Sequence, residues 1–116
     1  MKQVSLSLAA ERDLDEIDDY TIEHFGLDQA IRTTERFRET FRRLAEMPLS
    51  GHLRPDLSPP ERTFRYRTVL RSFVIVYEPT DDGIRVARVL HGARNLVAEL
   101  ERDAGDDEPP DDESQR

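Results

Sequence analysis

"IRVARVLHGARN", residues 84–95, is the stretch that does most to decide the fold of this chain. Branched apolar residues recur through it with arginines between them, a pattern typical of a β-strand in a small core. His91 and Gly92 end the run, and Arg94 follows. The stretch can therefore be a catalytic edge, a nucleic-acid contact or the last strand of a core.

The two faces of this strand decide which of its side chains can act together. A regular strand would place Arg85, Ala87, Val89 and His91 on one face and Ile84, Val86, Arg88 and Leu90 on the other. In that arrangement His91 and Arg88 cannot hold one phosphate unless a bulge or the strand end turns one of them. We also expect the His91 ring to hydrogen-bond the backbone near Gly92.

Two further strands are predicted before this one, over residues 63–70 and 73–78. Asp82-Gly83 indicates a hairpin between the last two strands, and Pro79 and Thr80 indicate a connection longer than two residues. A first strand is predicted near the N-terminus, where Val4, Leu6 and Leu8 alternate with polar residues. The segment 49–61, with three prolines and a glycine, is predicted to be a loop.

Two helices are predicted between the first strand and this loop. They are joined by Gly26-Leu27-Asp28, a link short enough for an antiparallel hairpin, with Asp28 capping the second helix. Pro48 is expected to end that helix. The apolar stripe of the second helix is Ala30, Thr34, Phe37, Phe41 and Leu44. A short last helix, capped by Asn95, is predicted to turn Leu96, Val97 and Leu100 inward.

The predicted fold class is α+β with the order β-α-α-β-β-β and a short C-terminal helix. Two short amphipathic helices can bury their stripes by packing on one face of an antiparallel sheet. The other face of the sheet is then expected to be open. Residues 1–102 are predicted to form one domain, and 103–116 an acidic, disordered tail.

Composition excludes several classes of function. The 116 residues contain no cysteine, which removes disulfides and thiolate sites. No long apolar run or signal peptide is evident, so a cytoplasmic protein without membrane insertion is expected. His24, His52 and His91 lie far apart in the sequence, so neither a metal site nor a cofactor is predicted.

Four stretches of the chain resemble the ParE branch of the RelE/ParE superfamily of bacterial toxins, also called the plasmid stabilisation protein family. They are DLDEIDDY at 13–20, RLAEMPLSG at 43–51, FVIVYEP at 73–79 and RVLHGAR at 88–94. Each is short, and their order and spacing make the resemblance specific. Asn95 departs from the family pattern, which often continues with an acidic residue here.

The resemblance implies the fold above and the toxin component of a type II toxin–antitoxin system. It implies a toxin that binds and inhibits DNA gyrase, without catalysis, and that is neutralised by a ParD-like antitoxin whose C-terminal segment wraps it. The sister RelE branch implies an alternative, a ribosome-dependent mRNA endoribonuclease. A second alternative is a non-toxic antitoxin-binding module.

The candidate site residues follow from these alternatives. Under the endoribonuclease alternative, His91 would act as acid or base and Arg88 as a cation over the phosphate. Under the binding interpretation, the residues expected to contact the target or the antitoxin are Arg65, Tyr66, Arg67, Arg85, Arg88, His91 and Arg94.

Charge distribution favours binding over RNA cleavage. Residues 101–116 hold eight acidic residues and two arginines, a net charge of −6, and leave the first 100 residues at −2. A near-neutral body is a poor match for the phosphate-rich ribosome, and no sequence-specific nucleic-acid binding is expected. The acidic tail is interpreted as a solvating extension, or else as a mimic of an acidic ligand that folds back over arginines.

Overall fold

The computed structural model describes residues 2–56 and 62–92. Two long helices and five strands account for most of them. In chain order the elements are β1 (Gln3–Leu6), α1 (Leu8–Phe25), α2 (Leu27–Glu46), a 3-10 turn (Pro48–Ser50), β2 (His52–Leu53), β3 (Arg65–Val69), β4 (Phe73–Thr80) and β5 (Gly83–His91). The α+β class and the helical hairpin are confirmed.

The five strands form one sheet in the order β1-β5-β4-β3-β2. Neighbouring strands are antiparallel except β1 and β5, which run parallel, so the sheet is mixed and the purely antiparallel prediction was wrong. The reason is β2, which lies in the segment predicted to be a loop and pairs His52 with Tyr66. This extra reversal of the chain makes β5 point the same way as β1. Two residues are too few for periodicity to reveal a strand.

Small residues mark the start of α1 and the junction between the two helices. The Ser7 hydroxyl accepts a hydrogen bond from the Ala10 amide and so caps α1. Gly26, with φ of +93°, both ends α1 and precedes α2, whose start has no side-chain cap, so the prediction that Asp28 caps α2 was wrong. Met47 ends α2, and Pro48 opens the 3-10 turn as its first residue.

Strands β4 and β5 form a hairpin whose turn is only Asp81-Asp82, because Thr80 already pairs with Gly83. The longer connection predicted from Pro79 and Thr80 was wrong, since both residues belong to β4. Glycine is required at position 83, where the start of β5 lies beside Gln3 of β1. A Cβ there would collide with the backbone oxygen of Gln3.

Most of the core lies between the hairpin and the sheet. It joins Phe37, Phe41 and Leu44 of α2 to Ile75 and Val86 of the sheet, among others. A second buried cluster occupies the opposite face and consists of Phe64, Tyr66, Val76 and Leu90. The prediction that this face is open was therefore wrong for these positions.

Several expectations concern residues outside the described ranges. The last helix with Asn95, Leu96, Val97 and Leu100, and the tail 103–116, belong to this group. Within residues 2–56 and 62–92, no helix is long and apolar enough to cross a membrane.

Candidate functional site

A bulge divides β5 and changes which of its side chains share a face. Val76 pairs with Arg88 and Tyr77 with Val86, so Ala87 is an extra residue in β5. Ile84 and Val86 consequently lie on the same face as Val89 and His91, towards the helices. Arg85 lies on the other face with Arg88 and Leu90. The alternation is regular before and after Ala87 but shifts by one residue there, so the single regular alternation expected for the whole strand was wrong.

His91 and Arg88 are nevertheless on opposite faces of the sheet. The bulge precedes both residues, and the pairing is regular from Arg88 to His91. His91 is exposed, and its ring stacks on Phe73 with centroids 4.8 Å apart. Phe73 in turn makes an edge contact with Phe37 in the core. The His91 ring thus ends an aromatic row that begins in α2, and packing on Phe73 orients it.

Arg88 is buried and paired with Asp13 of α1. Its Nε and Nη2 atoms donate to the two carboxylate oxygens of Asp13 at 2.7 and 2.9 Å. The same carboxylate accepts from the Val89 amide at 2.9 Å. The pairing of β1 with β5 ends at Leu6–Val86. Just beyond that point, the Asp13 carboxylate of α1 accepts a hydrogen bond from the backbone of β5. Asp13 therefore accepts a backbone hydrogen bond that β1 is too short to accept, and it also holds the Arg88 guanidinium in place.

Asp13 is a residue that the sequence interpretation missed, although the sequence contains a signal for it. It lies on the inward face of α1 with Ala10, Leu14 and Ile17, at spacings of three and four residues. A carboxylate on an inward helix face needs a partner because burying an unpaired charge is costly. The nature of that partner could not be read from the chain.

Arg65 and Arg67 serve the segment after α2. The Arg65 Nη1 atom donates to the carbonyls of Leu49 and Gly51 at 3.0 and 2.9 Å. Arg67 Nη2 donates to the Ser50 hydroxyl at 3.2 Å. Both side chains are half-buried and point to the helix side of the sheet, because they pair with the core positions of β4. They stabilise the turn and are not part of an open arginine face.

Tyr77 completes the attachment of this segment. Its buried hydroxyl donates to the Pro48 carbonyl and accepts from the Gly51 amide, both at 2.8 Å. A Cβ at Gly51 would meet the Tyr77 ring, so only glycine fits there.

After β2, two hydrogen bonds from Arg54 hold the pKa of the Asp56 carboxyl below its usual range. Both side chains are exposed, and this pair adds little to stability.

Arg85 belongs to a charged cluster on the outer face of the sheet. Arg62 donates to both carboxylate oxygens of Glu78 at 2.9 and 3.0 Å, and its guanidinium lies 5.1 Å from the Phe64 ring centre. The Arg85 Nη1 atom is 3.8 Å from Glu78. Arg85 is therefore half-exposed and lies beside the ion pair between Arg62 and Glu78.

The seven predicted contact residues consequently do not form one surface. Tyr66 and Arg88 are buried, Arg65 and Arg67 hold the turn, Arg85 faces outward, and His91 lies at the strand end. Arg94 is outside the described residues. Within those residues no group of three or more histidine, aspartate or glutamate side chains is arranged to hold a metal.

A groove opens between the helical hairpin and β1. It has a volume of about 270 Å³, an apolar floor that includes Leu6, Ile17 and Phe37, and a rim that carries Asp18 and Arg38. Strand β1 is an edge of the sheet. The backbone amides of Gln3 and Ser7 donate hydrogen bonds on the β5 side of the strand. Backbone groups of successive residues point to opposite sides of a strand, so those of Val4 and Leu6 point to the free edge.

Comparison with known proteins identifies the family. The model described as "ParE toxin of type II toxin-antitoxin system, parDE" matches residues 4–96. The chain belongs to the ParE toxin family. The match includes the hairpin, strands β2 to β5, all of β1 except Gln3, and every predicted site residue, and it ends before the acidic tail.

Curated relatives agree with this membership of the ParE family. The chain is 31% identical to toxin ParE3 of Caulobacter vibrioides over 88 residues, 76% of this chain and 84% of that protein. It is 29% identical to toxin ParE1 of the same species over 102 residues, 86% and 99% of the two chains. Among solved structures, one titled "Chromosomal ParDE TA system from P. aeruginosa" superposes with a TM-score of 0.65 at 22% identity. That match covers 79% of this chain and 97% of the other, and it supports the fold.

Proposed function

We propose that this ParE toxin acts by binding a bacterial target and not by cleaving RNA. We further propose that DNA gyrase is the target and that a ParD-like antitoxin neutralises the toxin. The cytoplasm is the compartment where both would be met. Membership of a family described as toxins of type II systems supports the toxin role.

The preference for binding over RNA cleavage rests on the separation of His91 from Arg88. Cleavage of RNA needs an acid or base and a cation within hydrogen-bond reach of one phosphate. Here His91 and Arg88 lie on opposite faces, and the guanidinium of Arg88 is engaged with the buried Asp13 carboxylate. Releasing it would break a buried ion pair, which is strongly unfavourable.

The exposed end of β5 is the proposed contact with the target. His91 presents an aromatic ring already held by Phe73, so little conformational entropy is lost when it is buried. The half-exposed Arg85 can pair with an acidic group from the outer face of the sheet. Arg94 remains a proposed contact by its position three residues after His91. Tyr66 and Arg88 support this strand from the interior.

The antitoxin is proposed to lie across the hairpin and the edge of the sheet. An extended segment can add to β1, where Val4 and Leu6 lie at the sheet edge beside the apolar groove. An amphipathic helix can instead fill the groove between the rims that carry Asp18 and Arg38. Either mode buries apolar side chains that are exposed on the toxin alone.

Two assays on the same preparation test the mechanism. Expression without antitoxin should arrest growth, and purified toxin should inhibit gyrase supercoiling while leaving mRNA intact in a translating extract. Cut mRNA with normal supercoiling would instead establish the RelE-like alternative. Tight antitoxin binding with normal growth, supercoiling and mRNA would establish the non-toxic module.

A histidine pair tests the contact surface. His91→Ala should weaken gyrase inhibition by about tenfold, which corresponds to about 1.4 kcal/mol of lost binding. His52→Ala is the matched control, because His52 is also exposed but lies on the opposite edge strand β2. Equal inhibition by both variants and the unmodified toxin would remove His91 from the interface. Thermal unfolding of each variant checks that the fold is unchanged.

A further inference from the structure

The helical hairpin is longer than β1, the edge strand beside it. The 18 residues of α1 span about 27 Å, whereas the four residues of β1 span about 13 Å. Helix α1 starts at the end of β1 and is about twice as long, so β1 is too short to cover the whole helix. Large apolar side chains at the tip of the hairpin, around the junction of α1 and α2, remain exposed, namely Phe25 at 67%, Leu27 at 60% and Ile31 at 49%.

These tip residues continue the two walls of the groove. Phe25 lies four residues after Thr21 on α1, and Ile31 lies three residues before Thr34 on α2. Thr21 and Thr34 both line the groove beside β1. Residues three and four apart share a helix face, so groove and tip form one continuous track. We call this surface, from Val4 through the groove to Phe25, Leu27 and Ile31, the hairpin track.

The two helices that border the hairpin track differ in charge, since α1 is strongly acidic and α2 is nearly neutral. Helix α1 holds seven acidic residues and one arginine, whereas α2 holds five arginines and four acidic residues. Asp18 on the α1 wall and Arg38 on the α2 wall face the groove. Among described residues, neither makes a salt bridge within 4 Å.

We propose that the hairpin track is the interface of a two-fold symmetric dimer of the chain free of antitoxin. A two-fold axis parallel to the hairpin brings the two tips together and places α1 of each copy opposite α2 of the other. The apolar tip residues then bury one another. Asp18 of one copy faces Arg38 of the second copy, and the reciprocal contact forms at the symmetry-related position. A surface that is apolar at one end and carries opposite charges on its two walls is complementary to itself in this orientation.

This inference goes beyond the proposed function, because it concerns the toxin alone and requires neither gyrase nor catalysis. It is tested on the free chain of 116 residues, refolded after separation from any antitoxin. Sedimentation velocity across about 1–100 µM should show a dimer that dissociates on dilution. A monomer throughout that range would overturn the proposal. The same measurement is independent of growth arrest and supercoiling, so the two proposals can fail separately.

Two single charge reversals provide the decisive experiment. Asp18→Lys alone places lysine opposite Arg38 twice in the symmetric dimer, and Arg38→Glu alone places glutamate opposite Asp18 twice. Each variant alone should dimerise at least about tenfold more weakly than the unmodified chain. An equimolar mixture should form a heterodimer, because both contacts are then between opposite charges. No change within one copy can produce this recovery, and a mixture without heterodimers would contradict the arrangement.

A pair of apolar-to-acidic variants tests the tip. Phe25→Asp should abolish dimer formation, since it places two carboxylates in the proposed apolar contact. Leu49→Asp is the matched control, because Leu49 is also 67% exposed and lies in the turn after α2, off the hairpin track. Dimerisation that persists in Phe25→Asp, or is lost equally in Leu49→Asp, would refute the proposed surface. Circular dichroism confirms that every variant remains folded.

Discussion

Replacing Asp13 with alanine should cost this protein about 3–5 kcal/mol of unfolding free energy, the usual loss when one partner of a buried ion pair is removed. The side chains of Asp13 and Arg88 are only 11% and 7% exposed, so water cannot replace the missing carboxylate. The variant leaves two guanidinium N–H groups and the Val89 amide without this acceptor. For a domain of this size the melting temperature should fall by at least about 12 °C.

The loss of unfolding free energy in Asp13→Ala can be separated into a contribution from the buried charge and one from the lost hydrogen bond. In the double variant Asp13→Leu with Arg88→Met, the buried charge is gone, and two apolar side chains of similar length take its place. The Val89 amide still lacks its acceptor, so about 1–3 kcal/mol of the loss should remain. The double variant should therefore be more stable than Asp13→Ala alone.

Urea and thermal unfolding measure these differences, with Glu39→Ala as the control. Glu39 forms an exposed pair with Arg43, and its removal should change stability by no more than about 0.5 kcal/mol. A loss below about 1 kcal/mol for Asp13→Ala would refute the view that this pair fixes the end of β5. The result also bears on mechanism, because lost activity in an Arg88 variant that is unfolded would say nothing about catalysis.

Substitutions at three further positions test other contacts of the fold. Gly83→Ala should destabilise the chain by about 1–3 kcal/mol, since its methyl group would collide with the Gln3 backbone; hydrogen exchange should show that β1 detaches first. Tyr77→Phe should lower the urea midpoint by an amount equal to about 1–3 kcal/mol, because Gly51 loses a buried acceptor; an unchanged midpoint would contradict this role. Ser7→Ala should cost about 1 kcal/mol through the lost cap of α1, measurable by thermal unfolding, whereas Ser7→Asp should retain most of the stability.

The candidate site was only partly readable from the sequence. The motif RVLHGAR correctly indicates the end of a strand, since His91 is the last residue of β5. It does not reveal that Ala87 is an extra residue, because a bulge depends on how Val76 and Tyr77 of the neighbouring strand pair with β5. Arg65 and Arg67 of β3 were interpreted as part of an open charged face because the sequence does not reveal their hydrogen-bond partners either. Their partners, Leu49, Ser50 and Gly51, are brought near only by the turn after α2.

The sequence by itself determined the helical hairpin, the three long strands and the family. Those features rest on local periodicity and on motifs whose spacing is kept along the chain, as in the stripe from Ala30 to Leu44. Only the tertiary structure decided the parallel pairing of β1, the bulge in β5 and the burial of Arg88 against Asp13. Asp13 and Arg88 are 75 residues apart, and no local preference of either segment encodes their contact. It forms because the first turns of α1 lie where β1 stops, and there the edge of β5 needs a hydrogen-bond acceptor.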